Sequence, residues 1–208
     1  MYDFIADLDE YFCEKYANYD KLCVLPGYKM PLMQASEVRE DGRTYAYTLP
    51  ANTMRLALQS EKASLLVELK KKMTDTTFSF SFRPVSVWGR IKGVFSKYAL
   101  HKHLKVMLGK YGVNDADVLE TVDISEEIWK GIRNGKFLPS KNLIFTIGIV
   151  GHFSYEDVFA LLALCEYTFD YAVVKDVVLS YIFEKKVFNP AMLEAALNEY
   201  NVSNLFLK

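Results

Sequence analysis

Along residues 2–18, Phe4, Ile5, Leu8, Tyr11 and Phe12 recur at helical spacing, which predicts an amphipathic helix. Asp3, Asp7, Glu10 and Glu14 fall at i, i+4, i+7 and i+11 and line a second face with carboxylates. That stripe reads as a solvated face, with docking to a basic partner, including the chain's own basic stretch, as the alternative. Pro26-Gly27 and Asp41-Gly42 are turn signals, and the second predicts a β-hairpin between MPLMQASEV and RTYAYTL. Asn52 is placed to N-cap a helix carrying Leu56, Leu65, Leu66 and Leu69 and ending on Lys70, Lys71 and Lys72, where positive charge suits the helix dipole. TFSFSF (residues 77–82) alternates polar and aromatic residues, the period of a half-buried strand, and Pro84 stops it. Over residues 87–98, Val87, Ile91, Val94 and Tyr98 form an apolar face beside Arg90, Lys92 and Lys97. Such basic helices can bind partners or anionic membranes, but here a connecting helix packed between two halves is expected.

From residue 98 the pattern is helical throughout, punctuated by caps. A helix over 98–111 ends at Gly112, a natural left-handed C-terminal residue. Asn114 caps a second over 115–122, with acids in its first turn, and Ser125 caps a third over 126–134, closed by Gly135. Ser140 caps a fourth over 141–150, and Ser154, with Asp157 three residues on, caps a fifth over 155–166. Two more helices are expected at 172–186 and 190–201. The chain therefore reads as mostly α: a small α+β unit at 1–83, a basic connecting helix at 84–97, and an all-α bundle at 98–208.

Residues 98–167 resemble the helix-turn-helix domain of the phage-repressor (lambda repressor and Cro-like) family. GVNDADVLETVDIS (residues 112–125) follows, without gaps, that family's Gly-apolar-Ser-x-x-x-apolar-small pattern through the first turn. GKFLPS (residues 135–140) is similar to its Gly-Lys-x-x-Pro-Ser signature after the recognition helix, and Leu143, Ile144, Ile147 and Gly148 stand at its core positions. Ser154-Tyr-Glu-Asp-Val matches the start of its fifth helix. The two later helices, following FLPSKN and Cys165-Glu-Tyr, are similar to the longer helical modules behind some bacterial macro domains, although the glycine-rich loops of a macro domain are absent.

The resemblance implies a dimeric transcriptional regulator whose third helix enters the major groove of double-stranded DNA. The cations available for phosphate contact are Arg90, Lys92, Lys97, Lys102, Lys105, Lys130, Arg133, Lys136 and Lys141. The chain departs from the family in charge. Its third helix opens on Glu126 and Glu127, Asp115 stands where the family has a phosphate-contacting Gln, and Arg133 occupies a position usually acidic. Carboxylates facing the groove meet phosphate repulsion, although Glu can accept from cytosine. A second reading therefore stands beside the first: a module of a phage, mobile-element or defence system that has lost DNA binding and serves protein–protein contact.

Composition narrows these readings. Between Thr76 and Asn114 there is no Asp or Glu, while Arg83, Arg90, Lys92, Lys97, Lys102, Lys105 and Lys110 contribute positive charge; residues 115–127 reverse the sign. Such segregation steers an anionic partner or lets the two blocks face each other within the fold. The longest apolar candidate, residues 143–150, is far shorter than a membrane span, and an acidic N-terminus is unlike a secretory signal, so a cytoplasmic protein is expected. Cys13, Cys23 and Cys165 are scattered and odd in number, fitting buried reduced thiols rather than a disulfide scaffold. His101 and His103 at i,i+2 do not share a helix face, and no zinc spacing, phosphate-binding glycine loop or nucleophile elbow occurs. A non-enzymatic binding or regulatory protein without metal or cofactor is the expectation. The aromatic tail, Tyr200 to Phe206, is available either as a dimer interface or as a cover for its own core.

Overall fold

Polar side chains at the starts of helices set most of the element boundaries. The computed structural model describes residues 3–30, 34–48, 55–77, 82–89, 91 and 99–208. Asp3 accepts a hydrogen bond from the Ala6 amide and opens α1 (Phe4–Lys15), and Asn18 caps the single turn α2 (Tyr19–Leu22). The hairpin forms around Asp41-Gly42: β1 (Gln34–Val38) pairs antiparallel with β2 (Thr44–Thr48). Leu56 sits in a 3-10 turn, Leu56–Leu58, and α3 (Lys62–Lys72) follows it. The single helix expected from Asn52 is thus two pieces; Asn52 itself lies outside the described residues, as do residues 78–81 of the aromatic strand. The short strand β3 (Arg83–Pro84) pairs with β4 (Phe137–Leu138), so Pro84 lies within a strand rather than beyond its end.

Five of the seven later helices start on a side-chain cap; the first, behind Ala99, and the sixth, behind Val173, have none. The seven are α4 (Leu100–Tyr111), α5 (Asp115–Thr121), α6 (Glu126–Arg133), α7 (Lys141–Val150), α8 (Tyr155–Leu164), α9 (Val174–Lys185) and α10 (Pro190–Glu199). Asn114 and Asp117 form a reciprocal capping box at α5, while Ser125, Ser140 and Ser154 accept the first free amides of α6, α7 and α8. Gly112 ends α4 with φ +68°, a conformation that costs glycine nothing. The chain is mostly helical, and the described sheets are two-stranded and antiparallel.

Helices α7 and α9 form the centre. Residues Asn142 to Ile149 of α7 and Lys175 to Phe183 of α9 are buried on every side, as for a helix surrounded by neighbours. Close approach depends on Gly148: a Cβ there would come within 2.8 Å of Val158 Cγ2 and 3.1 Å of the Phe183 ring. Around this centre α8 packs on α7, α4 contacts α6 and α8, and α5 contacts α7. Helix α1 lies against α9, α10 and α3, which adds Leu8, Phe12 and Tyr16 to the same buried cluster as Leu143, Val177 and Ile182. One core therefore draws on both sides of residue 84.

Several expectations need correction. The acidic stripe of α1 is only partly solvated, since Asp3 caps the helix and Asp7 accepts from the Tyr181 hydroxyl at 2.7 Å. Cys13 and Cys165 are buried, but Cys23 is exposed; all three are free thiols. Val87 and Ile91, expected on a packed face, are exposed together with Trp88. The tail folds back: Tyr200 and Phe206 are buried, and Leu207 bridges to Val122. No described helix is long and apolar enough to cross a membrane.

Candidate functional site

Helix α6 stands where the phage-repressor resemblance puts the recognition helix. It is amphipathic, burying Trp129, Gly131 and Ile132 and turning Glu126, Glu127 and Lys130 outward. Asp115, the first residue of α5, ties the two helices together. Its Oδ1 accepts from Trp129 Nε1 at 2.9 Å and lies 3.2 Å from Arg133 Nε. The Arg133 guanidinium also lies over the Trp129 ring, and its Nη1 is buried without a partner. One turn earlier, Lys130 meets Glu126 at 2.6 Å, an i,i+4 pair in which the lysine holds the carboxyl below its ordinary range. From Asp115 to Arg133 six carboxylates face two cations, and both cations are spoken for by acids on the same pair of helices.

The other expected cations are scattered. Lys141 is committed to Asp176 of α9, whose carboxylate is almost wholly buried. Lys102 is half-buried on α4. Lys105 and Lys136 are exposed, with no ion pair among the described residues. Arg90, Lys92 and Lys97 lie outside those residues. Lys110, part of the same basic run, pairs with Asp157 at 2.5 Å. Arg83 and Lys110 of the basic run thus pair with Glu166 and Asp157, and Asp115 and Glu126 of the acidic run pair with Arg133 and Lys130, each outside the opposing block. Of the histidines, burial lowers the pKa of His101, His103 keeps Nε2 buried without a partner, and His152 takes a left-handed turn with its ring stacked on Phe188. No group of three His, Cys, Asp or Glu among the described residues is arranged to hold a metal ion.

A second polar site went unpredicted. Lys175 and Asp75 pair at 2.9 Å with side-chain exposures of 1% and 6%. Asp75 also accepts from the Ser203 amide at 2.9 Å, and from the Thr77 amide at 3.0 Å and hydroxyl at 2.6 Å. Burial alone would raise this carboxyl; the bonds from Thr77, Lys175 and Ser203 outweigh it and hold the pKa below the usual range. For Lys175 burial prevails over the attraction of Asp75, and its pKa is lowered. Asn142 reaches the carbonyls of Thr77 and Asn204 at 2.9 Å each, so α7 and α9 both grip the loop after α3. The signal was present in VKDVVLSYIF: two adjacent charges open a helix that is otherwise nearly all apolar.

The chain matches no protein-family model, no curated protein and no solved structure with which it was compared. The phage-repressor resemblance rests on the residues quoted above.

Proposed function

We propose that this chain is a non-enzymatic binding protein whose helix-turn-helix-like bundle does not read duplex DNA through α6 and which meets a protein partner through its hairpin. The observation that carries this reading is the charge compensation on α5 and α6: Arg133 is held by Asp115 and Lys130 by Glu126, leaving a net acidic face. Phosphate contact needs cations free to displace the counterions of DNA, and a surplus of carboxylates opposes the approach. The hairpin supports a protein partner. Residues 36–47 are exposed throughout, and the two strands pack chiefly on each other. The pairing register puts Tyr45 and Tyr47 on one face, with Arg39 stacked over Tyr45 at 4.5 Å. Tyr and Arg are the residues that most often anchor protein interfaces. A lone two-stranded hairpin is marginal in water, so a partner seated on it would stabilise it.

Anisotropy titration of a random-sequence duplex tests the first half. At about 50 mM salt the wild-type chain is expected to bind no tighter than roughly 10⁻⁴ M, the weak end of non-specific binding. Tighter binding that weakens steeply with salt would restore the regulator reading. The triple variant Asp115→Asn, Glu126→Gln, Glu127→Gln should gain duplex affinity by roughly tenfold or more as its cations are released. A photo-crosslinking residue in place of Tyr47 tests the second half in cells. Adducts digested by protease are expected, and adducts digested only by nuclease would reverse the assignment.

A further inference from the structure

The buried pair Lys175–Asp75 forms the floor of an open cleft of about 490 Å³ between the end of α1, the loop after α3 and the start of α9. That volume lies within the roughly 300–1,000 Å³ of small-ligand sites, which favour the seams between packed units. A side chamber of about 170 Å³ shares Tyr16, Lys21, Lys72 and Thr74 with it. We propose that this cleft binds a small organic phosphate of nucleoside-monophosphate size, a role separate from the protein contact of the hairpin.

Charge and hydrogen-bonding capacity support this ligand class. Lys21 and Lys72 line the cleft as available cations, while Lys175 and the single lining carboxylate, Asp75, neutralise each other in its floor. Lys21 is exposed with no ion pair among the described residues, and Lys72 has only a surface contact to Glu68 at 3.3 Å, which an incoming dianion displaces. Separate lysines present point charges suited to a tetrahedral dianion, whereas a planar carboxylate is better matched by the fork of an arginine, and no arginine lines the cleft. The second observation is Tyr16. Its side chain is 1% exposed, it lines both chambers, and its hydroxyl has no hydrogen-bond partner among the described residues. The hydroxyl itself is not sealed off from solvent, so it opens on the cationic cleft with an O–H free to donate to an acceptor there. The hydroxyl-bearing Thr74 and Thr76 stand beside it.

The remaining wall takes the organic part. Met73, Val173, Val174 and Val202 supply apolar surface, and the Tyr200 ring stacks behind Tyr16 through Phe12. The site is preformed because Asp75 fixes its loop through Thr77, Ser203 and Lys175, and Asn18 Nδ2 fastens the opposite rim to the Ala172 carbonyl at 2.9 Å.

Isothermal titration of the full chain with the four ribonucleoside 5′-monophosphates, and with inorganic phosphate alone, tests the assignment. At least one nucleotide is expected to bind with a Kd below about 1 mM and at least roughly tenfold tighter than phosphate. Lys21→Ala and Lys72→Ala, both at exposed positions, should each weaken that nucleotide by roughly tenfold, and Tyr16→Phe, which keeps the ring, by about threefold to tenfold. Absence of saturable binding by all four nucleotides overturns the proposal. So does equal affinity for inorganic phosphate, or a Lys21→Ala, Lys72→Ala double variant that binds like the wild type while unfolding at the same temperature.

Discussion

Asp115 with Arg133 and Asp75 with Lys175 are pairs of the same kind, a carboxylate and a cation at 3.2 Å and 2.9 Å, in opposite surroundings. The first spans two surface helices, and its aspartate is 55% exposed. The second lies between the N-terminal segment and the central helix α9, with both members nearly inaccessible. On the surface, pairing changes what the protein can bind: each cation held by a neighbouring acid is one fewer for an outside anion. In the interior, pairing decides whether the chain folds, because a charge stripped of water must find its opposite. Similar distances therefore carry different consequences, and solvent access sets them apart.

Breaking the interior pair should have the largest effect. Lys175→Met keeps length and leaves Asp75 buried without its cation, a change expected to cost about 3–5 kcal/mol in urea unfolding. A loss below about 1 kcal/mol would place the pair in contact with water and remove the contrast.

The neighbouring Lys141–Asp176 contact sharpens it through pH. Burial raises the Asp176 carboxyl despite Lys141, and Lys141→Met should raise it further. A folded-state pKa above the unfolded value of about 3.9 gives stability that is present below that pH and lost as pH rises toward the folded pKa. The variant should therefore lose about 1 kcal/mol at low pH, where the carboxyl is protonated in both states, and about 3–5 kcal/mol at neutral pH. Denaturant unfolding from pH 3 to 8 reads the slope; a larger loss in acid would contradict it.

The surface pair should respond least. Arg133→Ala is expected to cost at most about 1 kcal/mol by thermal unfolding, since exposed pairs contribute little. A cost above about 2 kcal/mol would make the guanidinium, with its buried Nη1 and its place over Trp129, a structural strut.

The boundaries of α4 to α8 were legible because they depend on short-range chemistry. Asn114, Ser125, Ser140 and Ser154 act within one helical turn, Gly112 needs only its own φ, and Asp41-Gly42 closes a local hairpin. The start of α3 was misplaced because Leu56, although spaced for the helix, packs from a separate 3-10 turn. The candidate site was legible only as a set of residue types. Lys130, Arg133 and Lys141 are readable as cations on or beside α6, but their partners could not be assigned from spacing alone.

The sequence by itself determined where helices begin and end, which of their faces are apolar, and the surplus of acids from Asp115 to Glu127. Residue type at a fixed offset suffices for each of these, since caps, periodicity and local charge act over a few residues. Only the tertiary structure decided that Arg133 belongs to Asp115, that Lys175 is buried against Asp75, and that the aromatic tail covers its own core. Those outcomes depend on which distant segments share a desolvated space. Packing creates that space, and it strengthens or silences each charge according to what else is enclosed with it.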